Sequence, residues 1–217
     1  RLGQHFLKDK RVLASIVTSA KLKKDDYILE IGPGKGVLTG DLLKYAGHVT
    51  AIEKDPFLAE KISEQFKDEI TSGSLELIVA DVRDLDLKKY NFSQQPFKLI
   101  ANIPYYITGE LLKTFLSGKI KPELIVFLLQ KEVAERILGI STRGNKESVL
   151  SISVKAYGTP KYIRTVGKKA FRPEPSVSSA VLMIEDIGNK KLDDVNEKKF
   201  FEIVKTGFAQ KRKLLKK

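Results

Sequence analysis

Three features in the first 81 residues have the chemistry to hold a nucleoside. The run Ile28-Leu29-Glu30-Ile31-Gly32-Pro33-Gly34-Lys35-Gly36 is an apolar strand ending in a glycine-rich turn ahead of a helical pattern. Glycines at Gly32, Gly34 and Gly36 let backbone pass close to a ligand at dihedrals that other residues avoid. Glu53 ends the next apolar run, 21 residues beyond Gly32, where an acid in such folds receives ribose hydroxyls. Asp81 follows the third run, in Val79-Ala80-Asp81-Val82, where it can read the amine edge of a base. Each also has a purely structural reading: a tight strand-to-helix turn for the glycines, a turn cap for Asp81. A nicotinamide dinucleotide calls for Gly-x-Gly-x-x-Gly, and the third glycine of that pattern falls where this chain has Val37.

The most specific stretch follows the fourth apolar run, where Phe97-Lys98-Leu99-Ile100-Ala101 gives way to Asn102-Ile103-Pro104-Tyr105-Tyr106-Ile107-Thr108. It resembles the Asn-x-Pro-Tyr motif of methyltransferases that modify exocyclic amines, and the glycine turn with its two acids resembles their S-adenosyl-L-methionine pocket. An adenine amine is a poor nucleophile because its lone pair is delocalised into the ring. The resemblance implies that the Asn102 side-chain oxygen and the Ile103 carbonyl accept both N–H hydrogens and turn the nitrogen toward tetrahedral geometry. Tyr105 then stacks on the extruded base. No general base is needed before attack on a sulfonium, since the proton can leave afterwards. Read structurally, the same residues form a capped turn with an aromatic on the core.

Short apolar runs alternating with longer periodic segments are the rhythm of a parallel sheet. After an amphipathic opening helix with Val12, Ile16, Val17 and Ala20 on one side, strands are expected over 27–31, 48–53, 75–80, 97–101 and 124–129. Helices are expected over 37–45, 56–67, 109–116 and 131–138. A further helix at 147–157 and strands at 161–166 and 177–185, joined by Phe171-Arg172-Pro173-Glu174-Pro175, suggest an antiparallel hairpin at the sheet edge. The expected fold is α/β, a Rossmann-like class I methyltransferase with a mostly parallel seven-stranded sheet. Residues 1–186 form its domain, and 187–217 a linker with the start of a small C-terminal helical region.

The 39 Lys and Arg against 27 Asp and Glu leave a formal charge of +12, a field that attracts polyanions. The excess is uneven: residues 1–24 carry seven basic side chains and one acid, Asp9, and five of the last seven residues are Lys or Arg. The absence of Cys removes disulfides, thiolate nucleophiles and sulfur-rich metal sites, and two isolated His give no metal pattern. No metal, no membrane span and a cytoplasmic monomer are expected.

Nearly end to end, the chain resembles the ribosomal RNA adenine N6-dimethyltransferases, which include the bacterial KsgA proteins and the Erm resistance enzymes. Gln4-His5-Phe6-Leu7 is similar to the family's Gln-x-Phe-Leu box, which implies that Gln4, His5, Phe6 and Leu7 fold over the cofactor; His5 stands where Asn is common. Gln130-Lys131-Glu132-Val133-Ala134-Glu135-Arg136 and Phe171-Arg172-Pro173-Glu174-Pro175-Ser176-Val177 are also family-like. The resemblance places Phe171 on the adenine face opposite Tyr105, beside its plainer reading as a core aromatic. The candidate catalytic residues are thus Asn102, Ile103, Pro104, Tyr105 and Phe171; Gln4, His5, Phe6, Leu7, Gly32, Gly34, Gly36, Glu53, Asp81 and Asn102 are the candidates for the cofactor.

Phe208-Ala209-Gln210-Lys211-Arg212-Lys213 resembles the stretch opening the KsgA-type C-terminal domain, and the chain ends where that domain would continue. The expected substrate is therefore the maturing small ribosomal subunit, at two adjacent adenosines near the 3′ end of its RNA, each taking two methyls. Lys161, Arg164, Lys168, Lys169, Arg172, Lys211, Arg212 and Lys213 are the candidates for phosphate contacts, each also readable as a solvated surface charge. The alternatives are Erm-like methylation of large-subunit RNA, a ribosome-assembly or RNA-binding factor with secondary methylation, and a dehydrogenase disfavoured by the glycine spacing.

Overall fold

The computed structural model describes residues 5–103, 107–141, 144–188, 192 and 195–209. A two-residue strand, β1 (Phe6–Leu7), precedes α1 (Lys10–Ser19), whose start is fixed by the Asp9 carboxylate accepting from the Arg11 amide at 2.8 Å. The alternating stretch then forms β2 (Tyr27–Ile31), α2 (Val37–Tyr45), β3 (His48–Glu53), α3 (Pro56–Gln65), α4 (Lys67–Thr71) and β4 (Leu75–Val79). Short 3-10 turns lead to β5 (Lys98–Asn102), α5 (Thr108–Ser117), β6 (Leu124–Gln130) and α6 (Lys131–Leu138). A small hairpin, β7 (Ile140–Ser141) with β8 (Gly144–Asn145), precedes α7 (Val149–Tyr157), β9 (Thr159–Val166), β10 (Phe171–Arg172), β11 (Ser179–Glu185) and α8 (Glu197–Ala209).

The expected seven-stranded sheet is found, in the order β4-β3-β2-β5-β6-β11-β9. Its first five strands pair in parallel, and β11 lies antiparallel to both β6 and β9. The chain moves outward from β2 through β3 to β4, then returns to the other side of β2 and continues through β5 to β6. The order therefore reverses between β2 and β5, where open α/β sheets form a crevice beyond their strand ends.

Side chains alternate between the two faces of the sheet. On one face Ile28, Val49, Ala51, Ile100 and Val126 pack with Val12, Leu13 and Ile16 of α1 and Leu38 and Leu42 of α2. On the other, Leu29, Ile31, Leu99, Ile125 and Phe127 pack with residues of α5, α6 and α7. With both faces covered, the strands read as continuous apolar runs. One expected element is corrected: the helix over 56–67 breaks at Phe66 (φ −116, ψ 37) and restarts as α4. α8 is anchored to α7, where the Tyr157 hydroxyl donates to Glu197 at 2.5 Å and its ring stacks on Phe201 at 5.8 Å.

Candidate active site

A cavity of about 600 Å³ opens beyond the C-terminal ends of β2, β3 and β5, at the reversal in strand order. This is within the size range of small-molecule sites. The residues singled out from four separated stretches of sequence meet there: Gly32 and Gly34 after β2, Glu53 at the end of β3, Asp81 after β4, and Asn102 and Ile103 at the end of β5 all line it. His5, Phe6, Leu7 and Phe171 complete the wall. Gln4, Pro104, Tyr105, Lys211, Arg212 and Lys213 lie outside the described residues.

The turn after β2 holds Gly32, Gly34 and Gly36 at φ of 71, 61 and 72, the left-handed region that disfavours L side chains. At Gly34 a Cβ would also come within 3.2 Å of the Phe6 ring. Gly36 does not line the cavity: it caps α2, and a Cβ on it would meet the Phe66 ring at 2.6 Å. Its job is to turn the chain into the helix against Phe66.

Glu53 is 5% exposed, and both of its oxygens accept backbone hydrogens, Oε2 from Gly34 at 3.1 Å and Oε1 from Asp55 at 2.9 Å. Two amides fix its orientation and leave further acceptor positions on a carboxylate for hydroxyl donors. Asp81 combines two of the roles open to it. It caps a 3-10 turn through the Arg83 amide (3.1 Å) and lines the cavity, while Lys54 (2.7 Å) and the Arg83 guanidinium (2.6 and 3.0 Å) bind its side chain. The Arg83 and Lys54 charges hold its carboxyl far below the usual carboxylate range, so it is ionised at neutral pH.

The N-terminal box reaches the site through backbone pairing. β1 lies antiparallel to β10, with Phe6 opposite Arg172 and Leu7 opposite Phe171, and Lys8 N–H donates to the Ala170 carbonyl at 2.8 Å. The His5 ring meets the Pro173 carbonyl at 2.9 Å, and Asn102 Nδ2 makes a long contact of 3.5 Å with the His5 carbonyl. This strap brings Phe171, only 2% exposed, into both the core and the cavity wall. Lys35 Nζ lies 4.8 Å above the Phe6 ring.

The candidate phosphate-binding residues divide. Lys168, Lys169 and Arg172 are exposed on the segment leading into and through β10, which flanks Phe171 of the cavity wall. Arg164 is tied to the Arg11 carbonyl at 3.0 Å. Lys161 pairs in register with Met183, well back from the Ser179–Gln130 end of the sheet, and is ion-paired with Glu185; it does not join the others beside Phe171.

Glu30, read in the sequence only as part of an apolar strand, also lines the cavity. It is 1% exposed with no hydrogen-bond partner on either oxygen. A charged residue inside a run otherwise buried on both sides was the signal available for it. The wall thus carries four acids, Glu30, Glu53, Asp55 and Asp81, against Lys35 and Lys54. Burial pushes the Glu30 carboxyl pKa up to about 8, so Glu53, Asp55 and Asp81 carry the ionised negative charge of this lining, which suits a cationic nucleoside. It fits S-adenosylmethionine, whose ribose hydroxyls, base amine and positive charge match Glu53, Asp81 and the orphaned Glu30 carboxyl. No group of three or more His, Cys, Asp or Glu able to hold a metal ion occurs among the described residues, and no helix there is long and apolar enough to cross a membrane.

Sheet order, switch-point cavity and lining define a class I methyltransferase. The comparisons with known proteins agree. A "Ribosomal RNA small subunit methyltransferase A" of Dehalococcoides mccartyi is 39% identical over 214 residues, 99% of this chain and 72% of that protein. A dimethyladenosine transferase from Plasmodium falciparum superimposes with a TM-score of 0.83 at 28% identity, covering 97% of this chain and 73% of that one. The 23S rRNA methyltransferase ErmE gives 0.78 at 25% identity, covering 94% and 79%. The family model described as ribosomal RNA adenine dimethylase matches residues 1–217, and the chain belongs to that family. It is an S-adenosylmethionine-dependent methyltransferase.

Proposed function

We propose that the protein methylates N6 of adenine in small-subunit ribosomal RNA, giving dimethyladenosine at two adjacent adenosines near the 3′ end. The observation that carries this reading is the meeting of Glu53, Asp81 and the Asn102-Ile103 pair on one cavity at the sheet's switch point. Glu53 receives the ribose hydroxyls, and Asp81 the amine edge of the cofactor's base, which competes there with Lys54. Bound S-adenosylmethionine supplies an electrophilic methyl group. The chain's contribution is mainly positioning. The Asn102 side-chain oxygen and the Ile103 carbonyl accept the two N–H hydrogens of the target amine and direct its lone pair. Tyr105 and Phe171 sandwich the extruded base. Gln4 and His5–Leu7 close over the cofactor, and the proton lost from the amine leaves to water after transfer.

Lys168, Lys169 and Arg172 beside Phe171, with the 211–213 cluster, bind RNA phosphates. Residues 1–186 form the catalytic domain and 187–217 begin a C-terminal helical region; the protein works as a cytoplasmic monomer. The small-subunit assignment rests on relatives carrying that name at 34–39% identity. It is tested by offering labelled S-adenosylmethionine with under-methylated small subunits, and separately with protein-free large-subunit RNA, then mapping dimethyladenosine by mass spectrometry. Two adjacent dimethyladenosines in the small-subunit RNA are expected. Label confined to the large-subunit RNA would reverse the assignment.

A further inference from the structure

A carboxylate has about four acceptor positions, and at Asp81 four donors fill them. Oδ1 accepts from the Arg83 amide at 3.1 Å and from Arg83 Nε at 3.0 Å; Oδ2 accepts from Arg83 Nη2 at 2.6 Å and from Lys54 Nζ at 2.7 Å. The sheet sets up this meeting. Val79 is the register partner of Glu53, and the Ala80 amide donates to the Glu53 carbonyl at 3.0 Å, so Lys54 and Asp81 leave neighbouring strand ends together. A donor arriving from the cavity can bond Asp81 only when one of the four withdraws.

The four are not equally held. Arg83 supplies three of them, belongs to the 3-10 turn (Val82–Asp84) that Asp81 caps, and does not line the cavity, so its withdrawal would also open that turn. Lys54 supplies one, from a flexible four-carbon stem. Its side chain is 49% exposed and lines the cavity beside Asp81. Resting on the assignment of Asp81 to the cofactor's base, we propose that Lys54 is a movable stopper that sets selectivity for that base. An exocyclic amine displaces it from Asp81, whereas a base with a carbonyl at the same position keeps it in place. Adenine offers an N–H donor, so the Lys54–Asp81 pair is exchanged for the bond from the amine. Hypoxanthine offers an oxygen, which the carboxylate alone repels and the Lys54 ammonium bridges. Lys54 thus narrows the margin between the two bases.

The test is calorimetric titration of the wild type, Lys54→Met and Asp81→Asn with S-adenosylhomocysteine and with its hypoxanthine counterpart, S-inosylhomocysteine. The two ligands share ribose and tail and lack the sulfonium, so the ratio of their affinities isolates the base contact. A general effect of lost charge or altered packing cancels in it. Lys54→Met keeps most of the stem and removes the ammonium. It is expected to bind the adenosyl ligand about two- to fivefold more tightly, the scale of an exposed ion pair. The inosyl ligand should bind roughly tenfold or more weakly, the scale of a lost hydrogen bond to a charged group. The ratio then rises roughly 20-fold or more. Asp81→Asn, whose amide can donate as well as accept, should lose the wild-type preference for adenine. A ratio unchanged in Lys54→Met while Asp81→Asn loses the preference overturns the proposal and leaves the Asp81 assignment standing. A preference kept intact in Asp81→Asn overturns both. Crystal structures of the wild type with each ligand are a readout that needs no variant. Lys54 Nζ should lie beyond hydrogen-bond reach of Asp81 in the adenosyl complex, and should bridge Asp81 and the base oxygen in the inosyl complex. Lys54 still bonded to Asp81 beside a bound adenine overturns the proposal.

Discussion

Glu53 ends β3 and Asn102 ends β5, on opposite sides of β2 and its glycine turn, and this separation divides their labour. Glu53→Ala removes the proposed ribose acceptor and the bracket on the Gly34 and Asp55 amides. Hydrogen bonds to charged groups contribute about 1.5–3 kcal/mol, so cofactor affinity should fall roughly 10- to 100-fold by calorimetry. Asn102→Ala should leave affinity within about threefold and lower single-turnover methylation by about 100-fold or more, the scale on which misplacing a reacting group acts. Equal loss of binding in both variants would contradict the division. At this scale the sequence was readable where a residue type closes an apolar run, as Glu53, Asp81 and Asn102 do. It was less readable at Glu30, because an acid within an apolar run does not reveal which sheet face it takes, or that a cavity lies there. The ion pairs of Asp81 with Lys54 and Arg83 depend on side-chain directions that strand spacing does not encode.

Strand limits at β2 and β3, and those of α2 and α6, match the expected bounds because apolar runs and helical periodicity stop sharply at Gly, Asp or polar residues. Two features escaped local reading because they depend on distant partners. β1 exists only through its pairing with β10, across more than 160 residues. The break in the helix after β3 arises where Phe66, 7% exposed, packs its ring against Gly36 and Gly40 of the first helical turns. Gly36→Ala tests that junction. Left-handed backbone and the 2.6 Å approach to Phe66 should together destabilise by about 1–3 kcal/mol. Scanning calorimetry should then show Tm lower by roughly 2–10 °C.

For the whole molecule, the formal charge of +12 makes RNA affinity fall steeply with salt through counterion release. The structure sharpens which charges matter, because a basic residue already paired at a distance from the cavity has little to give. Replacing Lys168, Lys169 and Arg172 together with Gln should reduce the slope of log K against log salt by about 3, near one per phosphate contact. Lys161→Gln, which removes one of the two lysines paired with Glu185 and leaves Lys21 in place, should leave it unchanged. Filter binding at several salt concentrations measures both, and a flat salt response in the parent protein would remove the electrostatic argument.

The wider claim is that one crevice, made where the strand order reverses, orders cofactor and base along the sheet edge. A crystal structure of the protein with S-adenosylmethionine tests it most directly. The ribose is predicted on Glu53, the base at Asp81, and the methyl carbon directed toward the Asn102 amide and the Ile103 carbonyl. A ligand bound elsewhere, or an Asn102 side chain turned from the methyl behind a closed wall, would contradict the account.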